Sequence, residues 1–193
     1  MDIRKQLVQL KKLGIFTPDA AKRKYGLSQS MLSRLVNDGL LLRASSGYYI
    51  HPQSILPAES VDYAVACSRF GPKSVIGGLT ALFHYHLIEQ VPQNIWIIVP
   101  PSKMSRNKIY RCLRAKKYLK YGIEDNSYFR ITSLERTLIE SLNFSSKIGI
   151  RIVIQAIRRA IADGLTTEKK LGVMAERLKM RSALHKYWEY IAQ

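Results

Sequence analysis

Residues 28–51 read Ser28-Gln29-Ser30-Met31-Leu32-Ser33-Arg34-Leu35-Val36-Asn37-Asp38-Gly39-Leu40-Leu41-Leu42-Arg43-Ala44-Ser45-Ser46-Gly47-Tyr48-Tyr49-Ile50-His51, and this stretch decides the fold. Ser28 is a helix N-cap residue, because its hydroxyl can accept from the free N–H groups of a first turn. From Gln29 to Asp38 the apolar residues Met31, Leu32, Leu35 and Val36 repeat at helical spacing, and Gly39 ends the helix. The opposite face carries Ser30, Ser33, Arg34 and Asn37 at i, i+3, i+4 and i+7. A helix face that is merely solvated more often shows long Glu/Lys pairs. Short hydroxyls with one Arg and one Asn suit close approach to a major groove, where Arg reads guanine and Asn or Gln reads adenine. Next come two strand-like runs, Leu40–Ala44 and Tyr48–His51, joined by the turn residues Ser45-Ser46-Gly47.

Working outward, Thr17-Pro18-Asp19 opens a preceding helix. Thr is a cap, Pro is tolerated at the first helical position, and Asp favours the positive end of the dipole. That helix runs through Ala20, Ala21 and Lys24 to Tyr25-Gly26, and Leu27 plugs the turn. Before it, Ile3, Leu7, Leu10 and Leu13 predict a first helix ended by Gly14. Helix, helix, turn, helix, hairpin is the order of a winged helix-turn-helix, whose third helix enters the major groove while the hairpin touches backbone or minor groove. The expected domain is residues 1–55. Its candidate DNA-contacting residues are Thr17, Ser28, Gln29, Ser30, Ser33, Arg34 and Asn37, with Arg43, Ser45, Ser46 and Tyr48 from the wing.

Charge points the same way. Of 193 residues, 31 are Lys or Arg and 14 are Asp or Glu, a formal net charge of +17. Residues 101–122 hold Lys103, Arg106, Lys108, Arg111, Arg114, Lys116, Lys117 and Lys120 without a single acid. Solubility is served as well by mixed signs, so an acid-free run of this kind predicts a polyanionic partner. Lys103, Arg106, Lys108 and Arg111 are therefore candidate DNA contacts as well. The two cysteines, Cys67 and Cys112, lie outside any CxxC or Cys/His spacing. That argues against a zinc module and a disulfide framework. No signal-peptide core follows the first charges, and no apolar run approaches the roughly 20 residues of a membrane helix. A cytoplasmic protein is the expectation.

Residues 53–193 predict a mixed α/β domain with a C-terminal group of helices, so the whole chain is expected to be α+β. Pro52–Pro57 reads as a linker, and the second domain is placed at 56–193. Helices are expected over Glu59–Arg69 and Ile76–Tyr85, with strands over Ile95–Val99, Ile109–Arg114, Lys117–Tyr121 and Tyr128–Ile131. Further helices are expected over Leu134–Leu142 (capped by Ser133), Lys147–Asp163, Glu168–Leu178 and Ala183–Ile191.

Within this second part, Thr80-Ala81-Leu82, Leu87, Val91-Pro92 and the strand ending Val99-Pro100 resemble the AbiEi antitoxin family. So does Ser133-Leu134-Glu135-Arg136-Thr137-Leu138-Ile139-Glu140, the most specific piece, and so does Leu35–Leu40 ahead of the hairpin. The similar pieces span about residues 5–142. Tyr85-His86-Leu87 stands where the family more often has His-Gly-Leu, which leaves the local turn open, and the final 50 residues carry no family motif. The resemblance implies a repressor of its own toxin–antitoxin operon, bound to a double-stranded operator of inverted repeats. It further implies a type IV antitoxin that counters a nucleotidyltransferase-like toxin without a stable complex between the two.

Glu135-Arg136 could suggest a catalytic carboxylate beside an electrophile, but at a helix start it reads as structural, since Glu favours the dipole there and Arg can pair back to an acid or bind phosphate. His84 and His86 lack a third metal ligand, and Gly77-Gly78 is followed by no paired Asp/Glu strand of a nucleotidyltransferase. Only Glu124-Asp125 adjoin as carboxylates, so no nuclease-like cluster is expected. Cys112, among Arg111 and Arg114, is a candidate for a lowered thiol pKa. No catalytic residue, metal or cofactor is predicted, and the chain is not expected to be an enzyme. The rival reading is a structured-RNA-binding protein, or a nucleic-acid enzyme, that uses the basic second domain, with Tyr110, Tyr118 and Tyr121 as stacking platforms.

Overall fold

The computed structural model describes residues 3–115 and 120–192. Its contacts divide into two compact units, Met1–Arg69 and Phe70–Gln193. The boundary expected near residue 55 and this division differ by one short 3-10 turn and one helix.

The first unit runs α1 (Ile3–Lys11), β1 (Ile15–Phe16), α2 (Pro18–Tyr25), α3 (Gln29–Asn37), β2 (Leu42–Ser45) and β3 (Tyr48–Ile50). After a 3-10 turn at Ala58–Ser60 comes α4 (Val61–Phe70). Thr17 caps α2 by accepting from the Ala20 N–H at 3.3 Å, and Ser28 caps α3 by accepting from Met31 at 3.3 Å. Each cap satisfies an N–H that the helix itself leaves free. Past α3 the Leu40 and Leu41 N–H groups return to the Leu35 carbonyl, closing the end of the helix as it enters the hairpin. The strands form one antiparallel sheet in the order β1-β3-β2. Leu10, Phe16, Ala21, Leu27, Leu32, Leu35, Leu41 and Tyr49 make one core between helices and sheet. Phe16 and Tyr49 stack there with centroids 6.2 Å apart. This is a winged helix-turn-helix. α1 ends at Lys11, short of the expected stop at Gly14, and the two-residue β1 has no counterpart among the expected elements.

The second unit contains β4 (Val75–Ile76), α5 (Gly78–His84), β5 (Ile95–Val99), β6 (Tyr110–Arg114), β7 (Ile123–Asp125) and β8 (Arg130–Thr132). It then becomes helical with α6 (Leu134–Asn143), α7 (Ser145–Ile148), α8 (Ile150–Ala162), α9 (Glu168–Arg177) and α10 (Arg181–Ala192). The sheet order is β6-β5-β4-β8-β7, with β4–β8 and β5–β6 parallel and the other pairs antiparallel. Trp96, Ile98 and Leu113 face the helices and join Leu138, Ile139, Val153, Ile157 and Leu171 in one core.

Three expectations need correction. Ile76 belongs to β4 and not to a helix, pairing with Ile97 and Ile131. The helix after it starts at Gly78, where a Cβ would lie 2.7 Å from the Trp96 ring. Gly77-Gly78 therefore lets a helix begin flush against the sheet, and this accounts for the pair without nucleotidyltransferase chemistry. The strand expected at Tyr128–Ile131 is displaced to Arg130–Thr132, because the Asn126 side chain accepts from the Tyr128 and Phe129 N–H groups and holds them in a turn. The single helix expected over Lys147–Asp163 is broken at Gly149, whose φ of 99° is not helical. β7 was not anticipated at all. The strand expected at Lys117–Tyr121 falls largely outside the described residues, as does Tyr118.

Candidate nucleic-acid interface

In α3, Leu32 and Leu35 are buried, with Met31 and Val36 partly so, and the turn of the helix sends Ser30, Arg34 and Asn37 outward. Gln29 and Ser28 are also exposed, while Ser33 is half-buried. The hydroxyls are already engaged locally. Ser28 and Ser30 share a hydrogen bond of 2.9 Å, and the Ser33 hydroxyl donates to the Gln29 carbonyl at 3.1 Å. They form a low, self-satisfied surface and not a row of long donors. Arg34 rises from it, its side chain 84% exposed, with only a loose 3.8 Å contact to Asp38 one turn on. An exposed pair of that length is worth at most about 1 kcal/mol, so it offers little resistance to a competing acceptor.

The wing is organised differently. Arg43 is exposed on β2, where it sits 5.7 Å from the Tyr49 ring centroid and 3.5 Å from the Tyr49 hydroxyl. The ladder slips between Arg43 and Ser45, so the tip at Ser45-Ser46-Gly47 twists away from the regular register. Ser46 is exposed and Ser45 half-buried. Tyr48 is half-buried, with the Arg69 guanidinium 6.0 Å from its ring centroid. Sequence reasoning missed Arg69 as a neighbour of the wing, since nothing local links positions 48 and 69. Thr17 is half-buried, and its hydroxyl serves the α2 cap. Structure thus brings the α3 residues together on one helix face and Arg43, Ser46 and Tyr48 together on one hairpin.

In the second unit, Lys103, Arg106 and Lys108 are exposed on the connection between β5 and β6, and Arg111 is exposed on β6. Arg111 lies with its guanidinium 5.7 Å from the Trp96 ring centroid, across the parallel pair in which the two residues are register partners. Of the tyrosines offered as stacking platforms, Tyr110 is buried and packs edge-on to Phe70 at 5.3 Å, so it presents no face to a base. Tyr121 is 55% exposed, with the Arg177 guanidinium 6.0 Å from its ring centroid.

The most specific sequence motif turns out to be architecture. Glu135 accepts from the Thr166 hydroxyl at 3.1 Å. Arg136 is buried, donates to Glu140 at 3.0 Å and to the Tyr121 carbonyl at 2.7 Å, and so ties α6 to the approach to β7. The Thr137 hydroxyl meets that of Thr132 in β8 at 2.7 Å. Burial pushes the Glu140 carboxyl above the usual carboxylate range, and Arg136 partly offsets that. The Thr80 hydroxyl likewise accepts from the Trp96 N–H at 2.8 Å, anchoring α5 to β5. At the departure from the family pattern, His86 itself takes the left-handed conformation, φ 57°, and Leu87 returns its N–H to the Leu82 carbonyl at 3.0 Å.

Cys112 corrects another expectation. Burial raises its thiol pKa, and this outweighs the lowering from Arg114 and from a hydrogen bond at the Ser105 backbone, so the thiolate is disfavoured. Among the described residues, no group of three His, Cys, Asp or Glu is placed to hold a metal ion. None of the described helices is long and apolar enough to cross a membrane.

Fold and exposed surface thus define a winged-helix protein joined to an α/β unit. Residues 5–50 match the sequence model of a family described as transcriptional regulator, AbiEi antitoxin. That match begins within α1 and ends with β3, so it coincides with the helix-turn-helix and its wing; residues 51–193 lie outside it. No curated protein matches the chain.

Proposed function

We propose that this protein is a DNA-binding repressor of its own operon and the antitoxin of a type IV toxin–antitoxin system, countering a nucleotidyltransferase-like toxin in the cytoplasm without a stable complex. The family match over residues 5–50 is the observation that carries this reading. The exposed α3 face, with Arg34 standing clear of it, supports the DNA-binding half. In this reading α3 lies in the major groove of an inverted-repeat operator. Arg34 and Asn37 read base edges, and Thr17, Ser28, Gln29, Ser30 and Ser33 line the close approach. Arg43, Ser45, Ser46 and Tyr48 meet the backbone or minor groove, and Lys103, Arg106, Lys108 and Arg111 extend the phosphate contacts.

Titrating the purified protein against duplex from upstream of its own gene, beside a scrambled duplex of equal length, tests the first half. Preference for the natural sequence is expected; equal affinity would remove the repressor role. The second half is tested by co-expression with a nucleotidyltransferase encoded next to it. Growth should be restored, while the two proteins should fail to co-purify.

A further inference from the structure

A cleft of about 720 Å³ opens in the second unit between α8 and the segment that joins α5 to β5. Its volume is that of a small-molecule site. Leu79, Trp96 and Ile152 supply an apolar floor, and side-chain amides stand around the mouth, namely Gln90, Gln93, Asn94 and Gln155. An amide can donate and accept side by side, the pattern that matches the edge of a nucleobase. One acid, Glu89, lines the same mouth and can accept from ribose hydroxyls.

The charge around the cleft is the second observation. Arg159 lines it directly and makes a half-exposed 3.6 Å contact to Asp163. Arg111 lies against the ring of Trp96, which is itself part of the floor. The basic connection before β6 is stitched to the mouth as well. The Asn94 amide donates to the Lys108 carbonyl, and the Ile95 N–H donates to the Ile109 carbonyl at 2.7 Å. A slot lined by apolar side chains, amides and Arg159, with Arg111 against the Trp96 ring and the Lys108 backbone bonded to Asn94, matches a molecule with a flat heterocycle at one end and phosphate at the other.

We infer that this cleft binds a nucleotide, its base against Leu79, Trp96 and Ile152 and its phosphate toward Arg159 and the basic connection. Free nucleoside phosphates and an unpaired nucleotide of an RNA share this chemistry. The inference is independent of α3 and of duplex DNA.

Full-length protein carrying Trp188→Phe leaves Trp96 as the sole indole and so as a fluorescent reporter on the cleft floor. It is titrated with ATP, GTP, CTP and UTP, with an unpaired RNA 12-mer, and with the same 12-mer lacking its bases. Quenching by a free nucleotide assigns the site to small nucleotides, and quenching by the RNA but not by its abasic counterpart assigns it to RNA. In either case Arg159→Gln should weaken binding by about tenfold, the loss expected for a charge-assisted hydrogen bond. Gln155→Trp, a change at an exposed position on the mouth, should abolish it. The inference is overturned if nothing quenches Trp96, if the abasic strand binds as well as the intact one, or if both variants bind with unchanged affinity.

Discussion

Arg34 is the cation of the α3 face and its side chain is 84% exposed, so its replacement should be read in discrimination more than in affinity. Arg34→Ala is expected to lose about 1–3 kcal/mol on the natural operator and to relax preference at one base pair. Competition between operator and scrambled duplex measures this, and unchanged discrimination would take α3 out of the reading role. His86 makes a second test at this scale. A side chain in the left-handed region costs about 1–2 kcal/mol, and glycine, though more flexible when unfolded, avoids that cost. His86→Gly should therefore raise stability by about 0.5–1 kcal/mol in urea denaturation; a loss would mean that the imidazole makes compensating contacts. Arg136 gives the third. Removing it as Arg136→Met leaves Glu140 buried without its cation, at an expected cost of about 3–5 kcal/mol near neutral pH. The folded Glu140 pKa is raised, so its contribution to stability is full below the ordinary carboxylate range and is lost as pH rises through the raised value. Without Arg136 that value climbs further and the window of loss extends upward. The penalty measured at pH 8 should thus exceed that at pH 5. Equal penalties would exclude Glu140 as its source.

At the scale of elements, the helices of the first unit were legible because their caps are local. Thr17 and Ser28 are identified by chemistry that needs only the next three residues. The same holds for Ser133 ahead of α6, which accepts from Arg136. What was not legible depends on distant partners. Ile15–Phe16 is a strand only because Tyr49 and Ile50 come alongside it, and Val75–Ile76 only because β5 and β8 flank it. No periodicity resides in two residues. The site shows the same split. The α3 face followed from helical spacing, whereas Arg69 beside Tyr48 and the amides around the second-unit cleft come together only in three dimensions. The hairpin carries its own prediction. Arg43 rests on Tyr49 in the wing, and a wing contact to phosphate carries no sequence information, so Arg43→Gln should lower affinity for all duplexes by a similar factor. A change in sequence preference would give the wing a reading role instead.

For the whole molecule, the distribution of charge decides what salt should do. If the basic connection before β6 lies on the DNA path, each phosphate that it neutralises adds about −0.9 to the slope of log K against log salt. Replacing Lys103, Arg106, Lys108 and Arg111 together with Gln should then flatten the slope by up to about four units, with sequence preference intact. An unaltered slope would free this zone for another polyanion.

β6 is the last strand on its side of the described five-stranded sheet, and it carries Arg111 and Arg114 at exposed positions. A strand end-on in the order offers unpaired backbone groups to any extended chain that drifts past, and cations are one of the commonest ways of discouraging such a visitor. The residues that would attract a polyanion are therefore also placed where cations oppose edge-to-edge pairing of two copies. Selection on one task constrains the other: a variant stripped of both Arg111 and Arg114 would lose a ligand and a guard together, and light scattering is expected to show more self-association than in the parent.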